Sequence, residues 1–475
     1  MRNFSPACRS AEYLRTFLPA RGSMDPRSDL QRIARASLQA VDPRAIVARS
    51  LSTNREVLLI HGLDSCREIE LSRFARIFVI GFGKAAGRMA QAVEEVPGPR
   101  INKGLIVVKP GHELPLKFIR QVHGGHPVPD ENTVRAAGML AALADEADER
   151  TLVIVLISGG GSLLIAAPVV EGQGSLTLVD IQETTRQLLA CGATIEEINC
   201  LRKHLLLLAG GRLAGRVAPA TSISLVLSDV VGDDLQTIAS GAMCDDSTTY
   251  DQALDCQSLR IGPRLPGLVT KLLAEGAAGK IAETPKPGAP EISAAFSALV
   301  GTNLLALRSG AREASQLGYI PIILTSHLKG EARETARVLA AIAKDAIASS
   351  LPYAPPACIL AGGETTVTVH GRGKGGRNQE MAVSFLREIE KEPSLLSKTW
   401  FLSFSTDGED GPTDAAGGFA SASLVDTALS VDADIQDALH RNDSYALLKK
   451  IDGLFFTGQT NTNVCDISII MVGQK

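Results

Sequence analysis

The chain has 475 residues and carries 48 lysines and arginines against 52 aspartates and glutamates, a net charge of −4. With no basic excess and only 4% aromatics, binding nucleic acid by bulk electrostatics or by base stacking is disfavoured, and no apolar run reaches the roughly 20 residues that span a bilayer. The length exceeds one ordinary core, and 44 glycines favour tight strand-to-helix turns, so two or more α/β domains are expected.

Residues 1–23 hold four arginines and one acid; they read as a disordered leader before an internal start at Met24, with a mitochondrial leader as the alternative. The 8 cysteines form no C-x-x-C pair, which points to buried reduced thiols in a cytoplasmic protein rather than to disulfides or zinc.

From Arg76 the pattern becomes strand, glycine turn, helix. RIFVI runs into Gly81-Phe82-Gly83-Lys84, and GRMAQAVEEV continues as a helix. A G-x-G-x-x-A turn in that setting brings backbone N–H groups close to a phosphate, so Gly81 and Gly83 are binding candidates. The next strand, GLIVV, ends in Lys109-Pro110-Gly111, where a dinucleotide site would want an acid for the ribose. Lys84, a cation near a helix N-terminus, is unfavourable without a negative partner and is the first catalytic candidate. In HGGHPVPDENT, Asp130 is placed to cap the following helix, and His126 reads either as a substrate-orienting group or as a turn residue.

TLVIVLI is the unbroken apolar run of a strand buried on both faces, and it ends in Ser158-Gly159-Gly160-Gly161-Ser162. Ligands bind beyond the carboxyl ends of such strands. Three glycines between two hydroxyls make an anion-binding nest, so all five are binding candidates. Arg202 and Lys203, inside IEEINCLRKHLLLLAGG, read as surface cations. SISLVLSDVVGDD delivers another buried strand to a carboxylate cluster, in which Asp229 is the candidate for holding Mg²⁺ or taking a proton from a hydroxyl.

The proline- and glycine-rich AETPKPGAPE marks a boundary near residue 285, after which a second α/β series begins. Its most loaded stretch is AGGETTVTVHGRGKGGRNQE (361–380). An apolar strand leads to Glu364, TTVTV alternates like an edge strand, and Arg372, Lys374 and Arg377 lie among glycines before Asn378 opens a helix. Cations on a glycine loop before a helix suit a polyanion; Arg377, nearest the helix, is the catalytic candidate, with Glu364 and Asn378 as binding candidates. FLSFSTDGEDG then presents Asp407 for ligand binding, and Asp407 and Asp410 join Asp229 as metal candidates. Glycine turns, cations and carboxylates at strand ends are the parts that phosphoryl transfer requires, which describes a nucleotide- or phosphate-using α/β enzyme.

VIGFGKAAGRMA, GGHPVPDENT, LISGGGSLLIAAP, GATIEEINCLRKHLL, SLVLSDVVGDDLQTIASG, LAGGETTVTVHGRGKGGRNQEMA and STDGEDGPTDAAGG occur in order from about Leu71 to the C-terminus. In these passages the sequence resembles the two-domain glycerate 2-kinase family, whose C-terminal part is the MOFRL domain. The resemblance implies two Rossmann-like three-layer α/β domains, 24–285 and 286–475, with a cleft between them, the last strands either staying in the second or returning to the first. It implies transfer of the ATP γ-phosphoryl group to the 2-hydroxyl of D-glycerate with Mg²⁺; composition and cysteine usage add the expectation of a cytoplasmic protein with no nucleic-acid or membrane partner, either monomer or homodimer. It also implies a catalytic lysine and arginine at Lys84 and Arg377. Three departures bear on loop shape and acceptor choice: Ala242-Met243 where the family reads Pro-Thr, TGQTNTNVCD for TGPTGTNVND, and Gly418 for alanine. An NAD(P)H-dependent hydroxypyruvate reductase is the alternative, weakened by the missing acid after GLIVV. A non-catalytic metabolite-binding regulator is a third reading, and a sensor has no need of cations and carboxylates together at several strand ends.

Overall fold

The computed structural model describes residues 25–54, 56–170, 175–260 and 265–473, so the leader expected over 1–23 lies outside the described residues. Two compact units result. One is Ala40–Asn303 with Thr460–Cys465; the other combines the chain up to Gln39 with Leu304–Gln459 and the residues from Asp466 onward. The division thus differs from a single boundary near residue 285: residues 286–303 belong to the earlier unit, and the helix Pro26–Ala40 lies almost wholly in the later one.

The Ala40–Asn303 unit begins with a small antiparallel sheet, β1 (Leu51–Asn54), β2 (Val57–His61) and β3 (Cys66–Glu70). Its main sheet comprises β4 (Arg76–Phe82), β5 (Ile101–Val108), β6 (Arg120–His123), β7 (Thr151–Ile157), β8 (Thr221–Leu227) and β9 (Ala295–Gly301). The spatial order is β6-β5-β4-β7-β8-β9 and every pair is parallel. RIFVI and TLVIVLI form the two central strands, buried along their whole length except for Arg76 at the start of β4, as expected of strands covered on both faces. The connections run outward from β4 in one direction and from β7 in the other. That reversal opens a crevice beyond the carboxyl ends of β4 and β7, the place where doubly wound sheets bind ligands. Helices Leu178–Ala190, Ile195–Leu205, Tyr250–Arg260 and Gly267–Ala277 pack on a separate apolar cluster that includes Ile181, Leu201, Tyr250 and Leu272.

The second unit carries β10 (Ile320–Leu328), β11 (Ala357–Gly363), β12 (Thr399–Ser405), β13 (Gly417–Ser421), β14 (Leu454–Phe455) and β15 (Asp466–Val472). The order is β10-β11-β15-β12-β13-β14, with β10 and β11 parallel and all other pairs antiparallel. The last strand therefore stays in this unit, at its centre, and only the loop before it joins the other unit. TTVTV is not a strand: Thr366 makes one isolated bridge to Glu331, and the Thr368 N–H is taken by the Glu331 side chain at 2.9 Å. Gly363, at φ +149° against the Leu328 backbone, ends β11 there, so the alternating residues have no neighbouring strand to pair with. The helix Arg377–Lys391 covers the sheet, and its Phe385 stacks on Phe401 of β12 with ring centroids 4.4 Å apart. Among the described residues no helix is long and apolar enough to cross a membrane.

Phe401 is fully buried. Phe401→Ala is expected to cost about 3–5 kcal/mol of unfolding free energy, measured by chemical denaturation.

Candidate active site

In the parallel-sheet unit the turns after β4 and β7 are bonded to each other. The Lys84 N–H donates to the Gly159 carbonyl at 2.9 Å, the Ala85 N–H to Ser158 Oγ at 3.0 Å, and the Ser158 N–H to the Phe82 carbonyl at 3.2 Å. A Cβ on Gly83 would lie 2.2 Å from Ser158 Oγ, so only glycine permits this approach. Lys84 is half-buried at the start of the helix Ala86–Glu95. Gly160 has φ +76°, and a Cβ there would meet His126 Nε2 at 3.0 Å and Lys84 Cγ at 3.5 Å; Lys84 and His126 thus flank it. A Cβ on Gly159 would meet Asp229 Oδ2 at 2.3 Å, which puts the carboxylate after β8 against the same loop. Lys84, Gly159, Gly160 and Asp229 therefore converge, joined by His126, whose part the sequence left open.

Two of the predicted binding positions are structural. Gly81 lies within β4, where a Cβ would strike Ile106 at 2.7 Å; it serves strand packing. Ser158 is buried with its hydroxyl committed to Ala85. Ser162 pairs with Ser240 Oγ at 2.9 Å, and Ser240 donates to Asn199 Oδ1 at 3.0 Å. Ala239 and Ser240 hold φ of +49° and +53°, an uncommon conformation outside glycine that tertiary contacts must hold in place. The Ala239 methyl lies 3.3 Å from where a Gly161 Cβ would stand, so this turn forms the back of the loop.

Lys203 is not a surface cation. It is 4% exposed, and its ammonium donates to Asp246 Oδ1 at 3.0 Å. Asp246 also accepts from the Thr248 N–H and the Thr284 hydroxyl. Burial opposes ionisation of Asp246, but these donors together keep its carboxyl below the usual range. Neighbouring His204 is fully buried and its pKa is lowered by that burial.

In the other unit Arg377 is the first residue of its helix. Its Nε and Nη2 donate to the two Asp466 oxygens at 2.5 and 3.0 Å, and its Nη1 to Glu364 Oε1 at 2.6 Å. Burial works against the charge on Arg377, but the two carboxylates outweigh it and raise the pKa. Asp466 is 5% exposed; burial pushes its carboxyl up to about 7, with the Arg377 guanidinium pulling the other way. Asp466 was missed at the sequence level because it stands 89 residues from Arg377.

The basic glycine loop is no open phosphate cradle. The N–H groups of His370 and Gly371 donate to Asn442 Oδ1, that of Gly373 to the Arg441 carbonyl and that of Lys374 to Asp443 Oδ1. A Cβ on Gly371 would lie 2.0 Å from the Arg441 carbonyl oxygen, so the glycines serve close packing on the 441–444 turn. Arg372 is exposed, and Lys374 Nζ sits 4.8 Å over the Tyr445 ring.

The helix N-terminus is closed as well. Asp410, 1% exposed, accepts from the N–H groups of Asn378 and Gln379 at 3.1 and 2.8 Å. Asn378 is fully buried between Asp410 and Ser403, a packing residue rather than a ligand. With both oxygens committed, Asp410 does not fit as a metal ligand. Asp407, half-buried, accepts from Ser405 Oγ and from the Glu409 N–H. Among the described residues no group of three or more His, Cys, Asp or Glu side chains is arranged to hold a metal.

A family model described as a domain of unknown function, DUF4147, matches residues 29–274, and a model described as the MOFRL family matches 357–466. The chain is 36% identical over 455 residues to glycerate 2-kinase of Pyrococcus horikoshii, covering 95% of this chain and 99% of that one. It is 41% identical over 398 residues to D-glycerate 2-kinase of Thermotoga maritima, covering 84% and 91%. The crystal structure of glycerate kinase from Thermotoga maritima matches this fold with a TM-score of 0.80 at 36% identity, over 94% of this chain and 99% of that one.

Because the folded protein holds the Asp466 proton more tightly than the unfolded chain, stability is expected to fall as pH rises from 3.8 toward about 7 through this group. Asp466→Asn is expected to flatten that slope in denaturation curves recorded across the window.

Proposed function

The chain belongs to the glycerate 2-kinase family with a C-terminal MOFRL domain, and we propose that it transfers the γ-phosphoryl group of ATP to the 2-hydroxyl of D-glycerate. The products are then 2-phosphoglycerate and ADP. The observation that carries this reading is the convergence of Lys84, the Gly159–Gly160 turn and Asp229 beyond the carboxyl ends of β4, β7 and β8.

Lys84 supplies positive charge to the transferring phosphoryl oxygens, which gain from cations placed in advance of the reaction. The Gly159–Gly161 backbone lets phosphate oxygens approach without a side chain in the way. Asp229 is positioned to take the proton of the acceptor hydroxyl. In the other unit Asp466 and Glu364 occupy three of the five donors of Arg377, and the other two suit an oxyanion. Mg²⁺ takes one or two carboxylates alongside substrate phosphates; Asp229 or Asp407 fits that need, and the ion when bound neutralises phosphate oxygens. The reductase alternative finds no support at β5, which runs out at Val108 before Lys109 and Pro110; the carboxylate that follows, Glu113, turns back to accept from the Gly111 N–H and to pair with His123.

Purified protein with D-glycerate, ATP and Mg²⁺ is expected to form ADP and 2-phosphoglycerate in equal amounts; NADH oxidation with hydroxypyruvate and no ADP release would overturn the reading. Lys84→Ala is expected to lower kcat by about 100-fold or more with an unchanged circular dichroism spectrum. Gly159→Ala, which displaces the Asp229 carboxylate without removing it, is expected to lower kcat by about 100-fold and to cost about 1–3 kcal/mol of unfolding free energy.

A further inference from the structure

The helix Ile195–Leu205 ends in three consecutive basic residues, Arg202, Lys203 and His204. Two of them face counter-charges: Lys203 pairs with Asp246 at 3.0 Å, and His204 Nε2 lies 3.3 Å from Glu283. Arg202 is different. It is only half-buried by surface area, yet among the described residues no hydrogen bond or ion pair engages its guanidinium, and burial alone acts on it, pushing its pKa down. A desolvated cation without a partner is costly, and the favourable helix C-terminus offsets only part of that cost.

Its position supplies a reason. Arg202 follows Asn199 by three residues, so the two lie on one helical face. Asn199 Oδ1 accepts from Ser240, and Ser240 pairs with Ser162 at the end of the glycine turn after β7. The helix face that bears Arg202 is thereby tied to the loop that bears Gly159 and Gly160. The strained Ala239-Ser240 turn holds that link in place.

We propose that Arg202 is an oxyanion-binding residue of this same site, taking the carboxylate of the acceptor or a phosphate of the nucleotide with its planar fork. Bidentate recognition of an oxyanion is what guanidinium does better than ammonium. The proposal rests on the kinase reading for the identity of the anion, though not for its existence.

The test uses the full chain with Arg202→Gln and Arg202→Lys. Arg202→Gln is expected to raise one KM by about tenfold or more, the loss of a charge-assisted pair, and leave the other within about twofold. A rise for D-glycerate assigns the carboxylate, and a rise for ATP assigns the phosphate. Arg202→Lys is expected to recover part of the loss. The unfolding temperature of Arg202→Gln without ligand is expected to equal or exceed that of the parent chain, since an unpaired charge has been removed. Both KM values within twofold, or a lower unfolding temperature without ligand, would overturn the proposal. Should the parent chain fail to phosphorylate D-glycerate, the kinase reading fails and binding decides the matter. Stabilisation of the parent chain, but not of Arg202→Gln, by D-glycerate or inorganic phosphate would uphold an oxyanion site. Equal stabilisation of both, or none of either, would reject it.

Discussion

The hydrogen bonds from Lys84 N–H to the Gly159 carbonyl and from Ala85 N–H to Ser158 Oγ join the ends of two neighbouring parallel strands, between which the outward course of the connections reverses. They bring the turn after β4 and the turn after β7 within van der Waals contact, a distance that a side chain at position 83 would forbid. Everything else at this crevice follows from that approach. Lys84 and His126 flank Gly160, Asp229 rests against Gly159, and Ser162 reaches back to Ser240 and Asn199. A parallel sheet supplies the frame at low cost, since its central strands are specified by little more than unbroken apolar residues. The chemistry sits on backbone turns whose geometry the sheet dictates.

The second unit handles charge by the opposite means. Arg377 is held by two carboxylates, one from the central strand β15 and one from the end of β11. The N-terminus of its helix, which could have received an anion, is closed by Asp410. A buried carboxylate with two backbone donors fixes the helix start, and the guanidinium beside it can rotate little. Such pinning leaves Arg377 preorganised, with a limited number of donors aimed by the protein itself. The buried Lys203–Asp246 pair in the other unit follows the same logic with no ligand involved: each charge is tolerable because the other is there.

The strand–turn–helix rhythm and the central strands RIFVI and TLVIVLI are legible along the chain, and Lys84, Asp229 and Arg377 stand out there as charges carried into turns. Elsewhere the local pattern misleads, for identifiable reasons. TTVTV has the alternation of an edge strand, yet pairing needs a neighbour, and Gly363 ends β11 just before it. GRGKGG has the composition of a phosphate loop, yet its N–H groups are taken by Arg441, Asn442 and Asp443, some 70 residues on. Arg202 and Lys203 look alike as neighbours in the chain, but Lys203 turns to a buried aspartate while Arg202 meets no counter-charge among the described residues.

Periodicity and residue type along the chain set the local vocabulary: where strands end, where glycines free the backbone, and which side chains carry charge into turns. Those properties depend on periodicity and on each residue's own stereochemistry, so neighbours in the chain suffice to show them. Tertiary structure alone decided which charges are paired, which glycines face a crevice and which face protein, and that Asp466 belongs with Arg377. Such pairings join residues from opposite parts of the chain, and the free energy of a buried charge depends on the groups around it rather than on those beside it in sequence.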